Sequence, residues 1–293
     1  MSDKTILIPI DFNTKSLIAL EQTYNLGKLF GLELVLLYVY EELSVFSKIF
    51  SSNQSEDIIN NIKEQMDELA EDTRKKSGLD ITSMVARGKV HTKILEVAEM
   101  VSAKFIVMGT NGQEGEASGK KSIGANTHRV VRHAKCPVIS INGRHHHNGC
   151  RSILLPIDLT LESRQKVSSA IEFAQLFHSD IHVISALWSQ KDKKITNKLK
   201  VQIKQVEKFI SDRGIRCTSE LIKVKSEKEH ISAIFDYAKK EGDVDLIMIM
   251  TQKEIGFIEF FLEPDAQEII RISDIPVMSI TPKDTGVYTV SPL

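Results

Sequence analysis

The sequence predicts an α/β protein built from two tandem, doubly wound domains, each with a five-stranded parallel sheet. Its 293 residues are about twice the roughly 150 residues typical of one domain. The chain also repeats itself, because TILIPIDF beginning at Thr5 returns as SILLPIDL beginning at Ser152. Short apolar runs alternate with longer stretches of helical periodicity, which is typical of strands joined by helical crossovers.

Three further pairs of segments repeat in the same order along the chain. They are VLLYVY with HVISAL, IVMGT with MIMTQ, and CPVISI with IPVMSI. The second match pairs Gly109 with Thr251. Four matched segments in one order indicate a duplicated domain, and the expected organisation is a first domain at 1–142, a linker at 143–150, a second domain at 151–283 and a tail at 284–293.

The first copy contains the patterns of five strands and four helices. The run TILIPI ends at Asp11 and is apolar enough for a strand buried on both faces. The next stretch carries Leu17, Leu20 and Tyr24 at helical spacing and stops at Gly31, a residue that favours helix ends. The other elements are predicted as strands at 32–40, 81–86, 104–109 and 137–142 and as helices at 55–78, 91–102 and 125–134.

The second copy repeats this order. Val167, Ala170, Ala174 and Phe177 form the apolar stripe of its first helix. Because helices join consecutive strands in both copies, the strands of each copy are expected to be parallel, with right-handed crossovers.

Composition excludes several classes of protein. Hydrophobic residues make up 42% and charged residues 26%, which is a globular composition. A net charge of -1, from 38 basic and 39 acidic residues, argues against nucleic-acid binding. No apolar run approaches the roughly 18 residues of a membrane span. Three cysteines without metal spacing, and an N-terminus without signal-peptide layout, predict a cytoplasmic protein without disulfides.

Candidate ligand-binding residues follow three predicted strands of the first copy. Asp11 closes the first strand, Val39 lies near the end of the second, and Gly109 ends the fourth. Ligands of open α/β sheets bind beyond the carboxyl ends of the strands. Glycines in the turn from Gly109 to Gly112, and Gly124 before the last helix, would let backbone N–H groups approach phosphate oxygens. The alternative is that Asp11 caps the next helix and the glycines only form turns.

These residues resemble the universal stress proteins, in the tandem form with two such domains on one chain. The resemblance covers the sequence from about Thr5 to Ile280. Its most specific part is the family's ATP-binding pattern G-x2-G-x9-G-[ST], which Gly109, Gly112 and Gly124 follow. The resemblance implies an adenine nucleotide alpha hydrolase-like fold and ATP, with or without Mg²⁺, as the ligand.

The resemblance also implies which residues surround the nucleotide. The implied contacts are Pro9, Asp11 and Val39 at adenine and ribose, Met108, Gly109, Asn111 and Gly112 at the sugar and phosphates, and Gly124, Ala125 and Asn126 at the phosphate end. On this view, valine at Gly109 or Gly124 should abolish binding and leave the fold largely intact.

The sequence departs from the family pattern in two places. The spacer from Gln113 to Ile123 has eleven residues rather than nine, and Ala125 replaces the hydroxyl residue after the third glycine. Losing one neutral hydrogen bond costs on the order of 1 kcal/mol, so weaker binding is expected rather than none.

The second copy keeps Asp158 but loses the glycines. Thr251, Glu254 and Glu263 stand at the positions that match Gly109, Gly112 and Gly124. Side chains there would block close approach of phosphates, and two carboxylates would repel them. The sequence therefore predicts one nucleotide per chain, in the N-terminal domain. The apolar segment 255–262 is interpreted either as a flap over the vacated pocket or as a lipid or partner contact.

The last strand of each copy, at 137–142 and at 276–280, is apolar and would be exposed as an edge. In the family that the sequence resembles, such strands pair between domains. The two copies are therefore expected to form an intramolecular pseudo-dimer, and a homodimer of whole chains is left open.

No enzyme motif is present in the sequence. A nucleophile elbow, an HExxH motif and a P-loop are all missing. No catalytic or metal-binding residues are predicted, and His145, His146 and His147 are interpreted as a solvated linker. The sequence favours a stress-response sensor or regulator that binds ATP. The alternatives are a scaffold acting through protein partners or an apolar ligand, and a slow ATPase.

Overall fold

The computed structural model describes residues 4–41, 52–110, 123–142, 149–157, 162–188, 193–251 and 263–282. The first half contains β1 (Thr5–Ile10), α1 (Thr14–Phe30), β2 (Glu33–Tyr40), α2 (Ser52–Ser77), β3 (Ile81–Arg87), α3 (Val90–Met100), β4 (Ala103–Gly109), α4 (Ala125–His133) and β5 (Val138–Ile141). The second half contains β6 (Ser152–Pro156), α5 (Glu162–Phe177), β7 (Asp180–Trp188), α6 (Lys193–Ser211), β8 (Cys217–Val224), α7 (His230–Glu241), β9 (Leu246–Met250), α8 (Glu263–Ile272) and β10 (Val277–Ile280).

The strands form one ten-stranded sheet in the order β3-β2-β1-β4-β5-β10-β9-β6-β7-β8. Within each half the neighbouring strands pair in parallel, and β5 pairs with β10 in the antiparallel direction. Each half therefore has the doubly wound order predicted from the alternating strand and helix patterns. The predicted α/β fold class is confirmed.

Helix α1 begins and ends where its sequence dictates. The side chain of Asn13 accepts a hydrogen bond from the backbone N–H of Ser16 at 3.1 Å and caps the first turn. Gly31 ends the helix in the left-handed conformation, with φ of 62°. Leu20 is buried at the centre of the predicted stripe, whereas Leu17 and Tyr24 are half-buried at its flanks.

The central strands β1, β4 and β6 are buried on both faces, which explains their nearly continuous apolar runs, whereas the edge strands β3 and β8 are only partly buried. In β1, Ile6 and Ile8 join the core on the face covered by α1, and Leu7 joins the core on the opposite face. Each core contains residues of both halves, such as Ile8 with Leu155 on one face and Leu7 with Leu154 on the other. The two halves therefore share continuous hydrophobic layers.

The antiparallel junction pairs Ile139 of β5 with Met278 of β10, and both side chains are buried. Two hydrogen bonds flank it in a nearly symmetric way. Thr281 Oγ1 donates to the carbonyl of Ala134 at 2.8 Å, and Asn142 Nδ2 donates to the carbonyl of Ser273 at 3.1 Å. The predicted pairing of the two last strands is thus confirmed, and it covers the edge that each half would otherwise expose.

An aromatic cluster also joins the halves. The rings of Phe30 and Phe105 each lie within 5.5 Å, centroid to centroid, of the ring of Phe173 in α5. Beside them, Lys104 Nζ lies 2.7 Å from a carboxylate oxygen of Glu172. Apolar and ionic contacts therefore both cross the junction.

The sheet register corrects one match made from the sequence. Gly109 pairs with Ile141, whereas Met250 pairs with Ile280 at the corresponding position of the second half. One residue later, the backbone N–H groups of Thr110 and Thr251 donate to the carbonyls of those same two isoleucines. The structural counterpart of Gly109 is therefore Met250, and the predicted match with Thr251 was wrong by one residue.

Among the described residues, no helix is both long enough and apolar enough to cross a membrane. The predicted histidine tract, residues 252–262, the tail at 284–293 and Asp158 lie outside the described residues.

We expect two of the three thiols to be unreactive in the folded protein. Burial raises the pKa of Cys150 to about 12 and the pKa of Cys217 to about 12. Because the thiolate is the reactive form, both thiols stay protonated at pH 8. A Cys136→Ser variant should therefore give almost no reaction with Ellman's reagent until denaturant is added. Rapid native labelling of that variant would contradict the burial.

Candidate functional site

A cavity of about 210 Å³ lies at the carboxyl edge of the first half of the sheet. It brings together the ends of β1, β2 and β4 and the first turn of α4. Eight predicted site residues line it: Pro9, Asp11, Val39, Met108, Gly109, Gly124, Ala125 and Asn126. The other two, Asn111 and Gly112, lie outside the described residues.

Asp11 supplies the carboxylate of this cavity. One of its oxygens accepts a hydrogen bond from the side-chain amide of Asn13 at 2.6 Å, and the other accepts from the backbone N–H of Asn13 at 3.3 Å. Asn13, and not Asp11, caps helix α1 through Ser16. Asp11 is exposed, so its carboxylate is oriented by Asn13 and accessible to a hydroxyl or amino group of a ligand.

Helix α4 points its N-terminus at the cavity. Gly124 is its N-cap residue and has no side chain with which to cap the first turn. The first turn contains no acidic residue, whereas the last turn contains Arg132 and His133. The positive partial charge of a helix N-terminus is thus available at the cavity wall, where it favours an anion.

Gly109 has a packing role that the sequence did not indicate. A Cβ atom there would lie 2.8 Å from the backbone carbonyl carbon and oxygen of Lys15, in the first turn of α1. Lys15 Nζ in turn donates to the carbonyl of Thr110 at 3.1 Å, and Thr127 Oγ1 lies 3.4 Å from the carbonyl oxygen of Gly109. Glycine is therefore required for the close approach of α1 to β4.

The backbone conformation at both glycines is one that other residues also adopt. Gly124 has φ of −59° and ψ of 139°, and Gly109 is not among the residues with positive φ. Neither position therefore needs glycine for its backbone conformation. Substitution at Gly109 is limited by contact with α1, so we now expect a valine there to destabilise the fold as well as to block binding.

The floor of the cavity is apolar and includes residues that sequence reasoning missed. Leu37 of β2 and Ile94 of α3 are almost completely buried, and Val90 begins α3 beside them. Val90 and Ile94 lie one turn apart in the helix that follows β3 at the same sheet edge, which is the signal that could have identified them. The cavity thus combines an apolar slot, one oriented carboxylate and a helix N-terminus.

The corresponding place in the second half is built differently. By the repeat, α3 matches α7 through ILEVA and IFDYA, and α4 matches α8 through VVRHAKCPV and IIRISDIPV. His230 then stands where Val90 does, and Asp265 where Asn126 does. Their Nε2 and Oδ2 atoms lie 2.9 Å apart, and both side chains are mostly buried. The pair joins α7 to α8 across the position of the first-half cavity.

The fold and the cavity define a doubly wound α/β protein whose ligand site would lie beyond the strand ends, at the switch in strand order. A family model described as the universal stress protein family matches residues 3–142. A universal stress protein of Methanocaldococcus jannaschii is 31% identical over 141 residues, which are 47% of this chain and 81% of that protein. The chain belongs to the universal stress protein family, and thus to the proteins of the stress response.

Solved structures show the same fold along the chain. A universal stress protein from Archaeoglobus fulgidus superposes with a TM-score of 0.74 at 17% identity, covering 97% of this chain and 98% of that one. A functionally unknown protein from Pseudomonas aeruginosa gives a TM-score of 0.65 at 16% identity, covering 97% of this chain and 94% of its own. At these identities the likeness concerns the fold alone.

Proposed function

We propose that the N-terminal half binds an adenine nucleotide, ATP, and that the protein acts as a sensor or regulator in the stress response. The observation that carries this proposal is the convergence of eight predicted residues around one cavity. These residues come from three strand ends and one helix, which are far apart in the sequence.

Each part of the cavity suits one part of the nucleotide. The apolar slot formed by Leu37, Val39 and Met108 offers flat packing for the adenine ring. The Asp11 carboxylate accepts hydrogen bonds from ribose hydroxyls, and the N-terminus of α4 attracts the phosphates. The cavity volume of about 210 Å³ is below the roughly 300–1,000 Å³ of pockets that enclose whole ligands. It therefore suits the nucleoside, with the phosphates extending along α4.

A magnesium ion would enter with the phosphates. Among the described residues, no group of three or more histidine, cysteine, aspartate or glutamate side chains could hold a metal ion. Mg²⁺ commonly keeps several waters and binds through substrate phosphates, so it would neutralise phosphate charge here without a cage of protein ligands. No general base for hydrolysis is assigned, which is why we propose a sensor rather than a dedicated enzyme.

The second half is proposed to bind no nucleotide. Met250 occupies the position of Gly109, and Asp265 places a carboxylate in the first turn of α8, where the phosphate end would lie. Both changes oppose a triphosphate, one by volume and the other by charge.

We therefore expect one ATP per chain. Purified protein heated and centrifuged should release an adenine nucleotide, and calorimetric titration of the emptied full-length chain should give a stoichiometry near one. A sample without nucleotide that gives no heat at millimolar ATP would favour the scaffold alternative. Two equivalent sites would contradict the asymmetry, and phosphate release that follows ATP saturation would indicate the slow ATPase.

A further inference from the structure

A second cavity, of about 300 Å³, lies between the two halves and apart from the proposed nucleotide site. One side of it is formed by α1 from Glu21 to Leu26, and Phe173 and Phe177 of α5 also line it. Val107, Ile139 and Ile141 contribute aliphatic side chains from the sheet. Pockets at such junctions, with mostly apolar walls and a few polar groups, are common positions for small-molecule ligands.

A buried carboxylate lies in this cavity. Asp245 is 6% exposed, and its Oδ2 accepts a hydrogen bond from the backbone N–H of Arg151 at 2.6 Å. Among the described residues that line the cavity there is no lysine, arginine or histidine, whereas Glu21 adds a second acidic residue. A carboxylate removed from water is costly unless a cation or further hydrogen bonds compensate it.

The pseudo-symmetry of the chain provides a comparison. A third cavity, of about 380 Å³, lies at the equivalent place on the other side of the junction. Helix α5 lines it as α1 lines the second cavity. In the repeat, Lys104 stands where Asp245 does, and Glu172 stands where Asn25 does. Lys104 and Glu172 form an ion pair at 2.7 Å across the two halves. That cavity contains its own counter-ion.

The cavity of Asp245 lacks this arrangement, because the position equivalent to Glu172 holds the neutral Asn25. We propose that this cavity binds a small organic cation, namely a protonated amine attached to an aromatic or aliphatic body. The ammonium group would pair with Asp245, and the body would pack on Val107, Ile139 and Ile141. The rings of Phe173 and Phe177 add faces that attract cations.

Three small molecules of similar shape and different charge test the proposal on the full-length chain. They are 2-phenylethylammonium, 2-phenylethanol and phenylacetate. We expect the ammonium ion to bind roughly tenfold or more tightly than the neutral alcohol, and phenylacetate to bind least, because charge pairing in a desolvated site is strong. Equal binding of the amine and the alcohol, or no binding of the amine at millimolar concentration, would overturn the proposal.

Two variants locate the site. Asp245→Asn retains an oxygen that can accept from Arg151 and removes the charge, so amine affinity should fall roughly tenfold or more. Asn25→Lys would supply an internal cation, as Lys104 does in the equivalent cavity, and should also block the amine. Asn25→Lys keeps the test decisive if Asp245→Asn fails to fold.

Lys104→Met is the matched control in the equivalent cavity and should leave amine binding unchanged. ATP affinity should be the same in Asn25→Lys as in the parent chain, since the two sites are separate. Unchanged amine affinity in folded Asn25→Lys, or an equal loss in Lys104→Met, would contradict the assignment to Asp245. Failure of ATP binding alone would leave this result unaffected and would count only against the proposed nucleotide site.

Discussion

Asn126→Asp should lower ATP affinity by a factor on the order of 10³ while leaving the chain folded. The substitution gives the first-turn position of α4 the carboxylate that Asp265 provides in α8. At an effective dielectric near 20, a carboxylate about 4 Å from a phosphate charge costs roughly 4 kcal/mol before screening. The same carboxylate interacts favourably with the helix N-terminus, which contributes about 0.3–1 kcal/mol of stability. Affinity and stability should therefore change in opposite directions.

Calorimetric titration at several salt concentrations measures this loss, and thermal unfolding measures the stability. Asn126→Ala is the control for the missing amide, and it should weaken binding far less than the charged variant. Asp265→Asn should not create a second site, because Met250 still occupies the position of Gly109. If Asn126→Asp bound ATP as tightly as the parent chain, the phosphates would not lie at α4.

Gly109→Val should destabilise the protein itself. The new Cβ atom would lie 2.8 Å from the backbone carbonyl of Lys15, and backbone in a helix cannot move aside as the end of a flexible side chain can. Overpacking of this kind typically lowers the free energy of unfolding by about 1–3 kcal/mol. Each kcal/mol lowers Tm by about 4–8 °C in a domain of up to about 100 residues, and by less in a larger one. Gly124→Val should keep the fold, because φ of −59° and ψ of 139° are values that valine adopts readily.

Thermal and urea unfolding of both variants, together with ATP titration, distinguishes the packing role of Gly109 from the binding role of Gly124. Gly109→Ala should show a smaller loss than Gly109→Val, and adding Lys15→Ala should not restore stability because the contact is with the Lys15 backbone. Gly124→Val should lose ATP binding at nearly unchanged Tm. A Gly109→Val protein as stable as its parent would contradict the close approach of α1 to β4.

Much of the fold follows from local patterns in the sequence. The run TILIPI is apolar throughout because β1 packs into a hydrophobic core on both of its faces. Gly31 ends α1 as predicted. The residue at this helix end adopts the left-handed backbone conformation, which glycine adopts without strain. Eight of the residues that line the first cavity were also predicted, because the ends of parallel strands meet at one edge.

The rest depended on three-dimensional register and contact. Gly109 was matched to Thr251 instead of Met250, because aligned apolar runs tolerate a shift of one residue whereas hydrogen-bonded strands do not. The contact between Gly109 and Lys15 joins segments about ninety residues apart, which no periodicity reveals. Val90 was missed because an aliphatic residue at a helix start looks like an ordinary core residue.

The covalent link between β5 and β6 has a consequence for the antiparallel junction. Two identical chains that paired through such an edge would separate on dilution, and each substitution would appear twice in the dimer. Here the second half belongs to the same chain as the first, so the effective concentration of one edge around the other does not depend on the total protein concentration. The pairing is therefore independent of how much protein the cell makes. The two halves can also differ, so that Lys104 and Asp245 carry opposite charges at equivalent positions. Every molecule contains one β5 edge and one β10 edge.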